Sequence, residues 1–144
     1  MKKSILPIIA FTSVLLMSSC TKQGCIDSTA TNYNSKANSS DNSCIYEEKL
    51  ILWSSETTAQ DFLGSGVTVV KWYVDGQYVG SHAASEYTTA APTCTSGASQ
   101  LNTTISLGSS KTKIIQLEAK DQDNVSIGVE SVTITAGTCN IIEL

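Results

Sequence analysis

Apolar and polar positions alternate along most of the second half of the chain. Leu101, Thr103, Ile105 and Leu107 stand against Asn102, Thr104 and Ser106, a period of two that puts the first set on a buried face of a strand. Ile115, Leu117 and Ala119 repeat the pattern against Gln116, Glu118 and Lys120, Val132 and Ile134 continue it, and Ile142 with Leu144 closes the chain. Between these runs lie turn-forming clusters at Gly108-Ser109-Ser110, at Asp121 to Asn124 and at Ala136-Gly137-Thr138. Nearer the N-terminus, Leu50 and Leu52 alternate with Ile51 and Trp53, which predicts a first strand from about Lys49 to Ser55. Ser54 to Gly66 reads as a polar connection whose only sizeable apolar pair is Phe62 and Leu63.

The clearest local signal is Asp75-Gly76, which separates two apolar and aromatic runs within residues 67–79 and predicts a two-residue hairpin turn with positive φ. That turn sets Val74 opposite Gln77, Tyr73 opposite Tyr78 and Trp72 opposite Val79. Val70, Trp72, Val74 and Val79 then share the core face, while Lys71, Tyr73 and Tyr78 share the other. Residues 80–97 read as a long loop, with Cys94 near its end. About seven short strands joined by turns indicate an all-β fold, an antiparallel β-sandwich.

Residues 24–46 have a different character. They are rich in Asn, Ser and Asp and have almost no apolar residue able to build a core, so the segment stays disordered unless it is stapled. Cys25 and Cys44 supply the staple, and a bridge closing a loop of about twenty residues removes ~3 kcal/mol of unfolded-state freedom in the chain-entropy model. Cys94 and Cys139 are left as the second pair. Four thiols have three formal connectivities; pairing within each module is favoured because the small segment cannot order itself without its own bridge.

The first nineteen residues read as a leader. Lys2 and Lys3 provide a positive start, and Ile5 to Met17 is an apolar run shorter than the roughly 20 residues that span a bilayer. Its end, Met17-Ser18-Ser19-Cys20, resembles the lipobox of bacterial lipoproteins, in which small residues precede a Cys that receives a diacylglycerol before cleavage. Met17 stands where Leu is usual. The resemblance implies a signal peptide at 1–19, a lipidated N-terminus at 20–23, and attachment to a membrane through acyl chains on Cys20. Thr21 is not the Asp that retains lipoproteins at an inner membrane, which implies the outer membrane. Thr21-Lys22-Gln23 lacks the acidic cluster of surface export, and the periplasmic and extracellular faces both stay open.

Two further resemblances follow. Gly24, Cys25, Asp27, Ala30, Asn32, Tyr33, Asn34, Ala37, Asp41, Ser43, Cys44 and Tyr46 match a short Gly-Cys-x-Asp...Asn-Tyr-Asn...Ser-Cys-x-Tyr module found in Bacteroidota surface proteins. Residues 70–80, 114–121 and 132–144 look like the domain of uncharacterised Bacteroidota lipoproteins and are similar, more distantly, to PEGA-type sandwiches. These motifs are largely turn chemistry and imply fold far more than function. The resulting organisation is a stapled spacer at 24–46 followed by a β-sandwich at 47–144.

Charge and candidate chemistry narrow the function classes. Removing Lys2 and Lys3 from the nine basic residues leaves seven against thirteen acidic ones, a net −6, with no basic stripe; nucleic acid is not an expected partner. No Gly-x-Ser-x-Gly elbow, His-Glu-x-x-His or phosphate-cradling loop is present, so no enzyme activity and no cofactor are expected. His82, the single histidine, has no second His or Cys at ligand spacing and reads as a loop residue. Asp27, Asn32, Asn34 and Asp41 offer hard oxygen atoms to Ca²⁺, although their spacing is not that of an EF-hand and tight turns need the same residues. Trp53, Trp72, Tyr73, Tyr78 and Tyr87 form a sugar-stacking platform if several face outward; the alternative is that the tryptophans are core and the tyrosines cover a sheet. The expectation is a non-enzymatic, lipid-anchored envelope protein with a structural, display or adhesion role, and a glycan- or protein-binding module is the second class.

Overall fold

Leu50-Ile51-Leu52-Trp53 is a continuous apolar run, the signature of a strand covered on both sides, and it lies on the central strand of a three-stranded sheet. The computed structural model describes residues 21–94 and 101–143. The expected leader at 1–19, the expected lipidation site Cys20, and Leu144 lie outside the described residues.

Two short strands, β1 (Gln23–Gly24) and β2 (Ser39–Ser40), pair in parallel and open the fold. β3 (Tyr46–Trp53) leads into a helix, α1 (Glu56–Gly64), followed by β4 (Val69–Val74), β5 (Gln77–Ala83), β6 (Leu101–Gly108), β7 (Thr112–Lys120), β8 (Ser126–Thr135) and β9 (Asn140–Glu143). The larger strands form a three-stranded sheet, β6-β3-β9, and a four-stranded sheet, β5-β4-β7-β8. Leu50, Leu52, Ile105 and Leu107 from the first sheet and Val70, Trp72, Val74, Ile115, Leu117, Ala119, Val132 and Ile134 from the second share one core. The all-β sandwich expected from the alternation is therefore the observed fold.

Several local readings are corrected. β3 starts three residues before the expected Lys49 and ends at Trp53 rather than Ser55. The polar connection contains α1, capped by Ser55, whose Oγ accepts from the Thr58 backbone N–H at 3.3 Å. Only Ala59 is buried on this helix, with Phe62 packed partly against the core, so its apolar face is too narrow to show as a period. β9 joins β3 in parallel, with Leu52 beside Ile142, while the other ladders of the two larger sheets are antiparallel.

The hairpin turn is as expected, with Asp75 at φ 49° and Gly76 at φ 78°, and Val74 pairs with Gln77 and Tyr73 with Tyr78. Beyond them the register slips by a bulge, so Trp72 meets Gly80 and not Val79. Gly80 takes φ 152°, and a Cβ there would come 2.4 Å from Leu101 Cδ1; the bulge brings β5 against β6 at a point where only glycine fits. β5 then continues to Ala83, which removes the first residues from the expected loop and puts His82 on a strand.

Candidate functional site

The pairing of the cysteines is Cys25 with Cys44 and Cys94 with Cys139, at Cα separations of 4.8 and 5.8 Å. The first bridge does more than close a loop. Cys25 is fully buried and, with Ala30 and Tyr46, belongs to the same core as the sandwich strands. The segment 24–46 is thus docked onto the body, and its last residue, Tyr46, is also the first of β3.

Asp27 is the hub of that docking. Its Oδ1 accepts from Thr29 N (3.0 Å) and Thr29 Oγ1 (2.8 Å), and its Oδ2 accepts from the Tyr46 hydroxyl (3.0 Å) and forms an ion pair with Lys111, on the turn that enters β7. The Lys111 ammonium and then the Thr29 backbone N–H hold the Asp27 carboxyl well below the usual carboxylate range, and Lys111 is raised in return. Burial, and then the neighbouring Asp27 carboxylate, push the Tyr46 phenol up. Within the sandwich, the Gly137 backbone N–H donates to the Glu48 carboxylate and ties the β8–β9 turn to β3. Gly137 lies at φ 74° with Thr29 Cγ2 3.0 Å from where a Cβ would stand, so the β8–β9 turn presses against the small segment.

The other oxygen-bearing residues of the segment bond to its own backbone, Asn32 across the loop and Asn34 and Asp41 within turns. Asn32 donates to Ser43 O (2.6 Å) and accepts from Ile45 N (2.9 Å), Asn34 Oδ1 accepts from Lys36 N (3.0 Å), and Asp41 Oδ1 accepts from Ser43 N (2.9 Å). Among the described residues no group of three His, Cys, Asp or Glu side chains is placed to hold a metal ion. Of the four candidate calcium residues, Asn34 and Asp41 close turns, Asn32 bridges to the backbone of Ser43 and Ile45, and Asp27 is engaged with Thr29, Tyr46 and Lys111.

The candidate aromatic platform divides. Trp53 and Trp72 are buried, and Tyr87 is exposed on the loop after β5. Tyr73 and Tyr78, paired across β4 and β5, lie on the outer face of the four-stranded sheet as an edge-to-face pair 5.6 Å apart. Lys120 of β7 sits 4.8 Å over the Tyr73 ring and forms an ion pair with Glu118 at 3.3 Å, and Glu118 is the ladder partner of Tyr73. The Tyr78 hydroxyl donates to Ser81 Oγ at 3.0 Å. Lys71, expected on the same face, reaches instead to the β7–β8 turn, donating to Gln122 O (2.8 Å) and Asn124 Oδ1 (2.9 Å).

Comparison with protein-family models, curated proteins and solved structures returns no match.

His82 is buried, correcting its reading as a loop residue: Nδ1 lies 2.9 Å from Ala83 O, and the ring centroid is 6.1 Å from that of Trp72. Sequence reasoning did not select Lys120, Glu118 or Lys111. The first two were legible as the polar face of β7; the third was not, because its partner Asp27 is far away in the chain.

Proposed function

We propose that this chain is a lipid-anchored envelope protein, held at an outer membrane by acyl chains on Cys20, with a structural, display or adhesion role and no catalytic one. The observation that carries the reading is the apolar run Ile5 to Met17 ending in Ser18-Ser19-Cys20. Each buried methylene contributes ~0.8 kcal/mol, so two or three acyl chains suffice to hold the body without a spanning helix. What supports this in the described fold is that hydrogen-bonded structure begins two positions after Cys20, where the Lys22 N–H donates to Asn38 Oδ1 at 2.8 Å and the Lys22 carbonyl accepts from the Asn38 N–H at 2.9 Å. The Asp27–Lys111 ion pair and the packing of Cys25 and Ala30 into the shared core then make the segment 24–46 a foot fixed to the sandwich.

The test is expression in a host that acylates lipoproteins. Wild-type protein is expected in the detergent-extracted membrane fraction with the mass of diacylglycerol plus an N-terminal acyl group. Cys20→Ser is expected to stay unacylated and leave that fraction. A mature chain cut at another bond, with Cys20 bare or bridged, would overturn the proposal.

A glycan- or protein-binding role for the sheet face is the second reading, favoured by Tyr73 and Tyr78 standing together beside Lys120 and Glu118. An aromatic pair takes the apolar face of a sugar, and a fixed ammonium and carboxylate bond its hydroxyls. Binding on a glycan array that disappears in both Tyr73→Ala and Tyr78→Ala is the expected result. Binding that persists in both excludes this face.

A further inference from the structure

The foot, residues 24–46, holds four large hydrophobic side chains: Ile26, Tyr33, Ile45 and Tyr46. Tyr46 is buried, whereas Ile26, Tyr33 and Ile45 are 50%, 47% and 47% exposed. A segment too poor in apolar residues to build its own core therefore turns most of them outward, where they meet water unfavourably. The three gather around one point. Ile26 follows Cys25 and Ile45 follows Cys44, whose Cα atoms are 4.8 Å apart across the disulfide, and Tyr33 precedes Asn34, whose N–H donates to Cys25 O at 2.8 Å. The shared core takes their neighbours Cys25 and Tyr46 and leaves these three outside.

Reach and charge say what covers them. Lys22, whose N–H and carbonyl both bond to Asn38, stands two positions after Cys20 and three before Cys25. Two residues of chain reach at most about 7 Å, so acyl chains on Cys20 keep the start of the foot close to the headgroups. Lys22 and Lys36 balance Asp27 and Asp41 in the foot, whereas residues 47–144 carry five lysines against eleven acidic residues. With Asp27 paired to Lys111, the foot offers the exposed Lys22 and Lys36 against Asp41. An anionic surface repels the sandwich and accepts the foot. Resting on the reading of Cys20 as the anchor, we infer that the foot lies against the lipid surface, with Ile26, Tyr33 and Ile45 in the headgroup layer and the sandwich standing away from it. The isoleucines enter the acyl boundary, and Tyr33 fits a depth at which its ring is in hydrocarbon and its hydroxyl in water. Acyl chains alone leave the body free to swivel. The foot fixes its orientation.

The test places the mature acylated chain in vesicles of phosphatidylethanolamine and phosphatidylglycerol with brominated acyl chains, which quench tryptophan only at short range. Ile26→Trp, Tyr33→Trp and Ile45→Trp report from the foot. β3 starts at Tyr46 and β7 starts beside Lys111, both in contact with the foot, so Leu63→Trp on α1 and Val125→Trp in the β7–β8 turn report from beyond their far ends. All five replace exposed side chains, and the wild-type quenching of Trp53 and Trp72 is subtracted. Each foot tryptophan is expected to be quenched about twofold or more beyond the Leu63→Trp and Val125→Trp pair, as for an apolar side chain set in the interface. Mass spectrometry of the same samples reads acylation, which separates the two failures. If Cys20 is acylated and any of the three foot tryptophans is quenched no more than that pair, the inference is overturned and the anchor stands; a bare Cys20 overturns the anchor itself. Foot emission that is shielded from water, unquenched by bromine and dependent on protein concentration would assign these side chains to a second copy of the chain and overturn the lipid contact.

Discussion

At the scale of single residues, Asp27 decides how firmly the N-terminal segment is held. Its folded-state carboxyl lies below its ordinary value of 3.8, so the folded chain binds fewer protons there than the unfolded one. The stabilisation is present in full above that ordinary value and is lost as the pH falls beneath it. Asp27→Asn is expected to lower amide-exchange protection across residues 24–46 at neutral pH, with the gap to wild type closing as the pH drops from about 5 to about 2. A gap that stays constant over that range would remove the charge from the account. The Lys111 side chain is 60% exposed, so salt near ~1 M should narrow the gap at neutral pH as well. None of this was legible in the sequence. Asp27 looked like a turn former or a metal ligand, and its strongest partner lies 84 positions along the chain.

Among the elements, β6 and β7 show why some segments announce themselves. Each has one face in the core and one in water, so burial alternates with the side chains and the pattern is visible in the letters. α1 lacks that contrast, because it lies on the surface and buries one residue. Its signal is the cap: Ser55→Ala removes the acceptor for the Thr58 N–H and is expected to cost about 1 kcal/mol, read as a lower denaturant midpoint with an unchanged slope. A midpoint within error of wild type would mean that α1 is held by Ala59 and Phe62 alone. The bulge at Trp72 was equally hidden. A turn fixes register only for the pairs beside it, and the slip to Gly80 is set by contact with Leu101 on another strand.

For the whole molecule, the question is whether the segment 24–46 unfolds as a separate unit. Its composition suggests a spacer, but Cys25, Ala30 and Tyr46 sit in the sandwich core. Replacing Cys25 and Cys44 by Ser is expected to lower stability by about 3 kcal/mol, and replacing Cys94 and Cys139 by about 4 kcal/mol, from the loops they close. Because the core is shared, each loss is expected to appear as one transition at a lower midpoint, coincident by tryptophan fluorescence and by far-ultraviolet circular dichroism. A separate early transition in the Cys25/Cys44 variant would show the foot melting on its own.

By itself the sequence determined the all-β class, the faces of the central strands, the Asp75-Gly76 turn and the need for a staple within residues 24–46. These are local matters, written in alternation, turn chemistry and a shortage of apolar residues. Only the tertiary structure decided the parallel seat of β9, the docking of the foot through Asp27 and Lys111, the burial of His82, and the division of the aromatics between core and surface. Those depend on contacts between residues distant in the chain, whose free energies are set by geometry that no single segment carries.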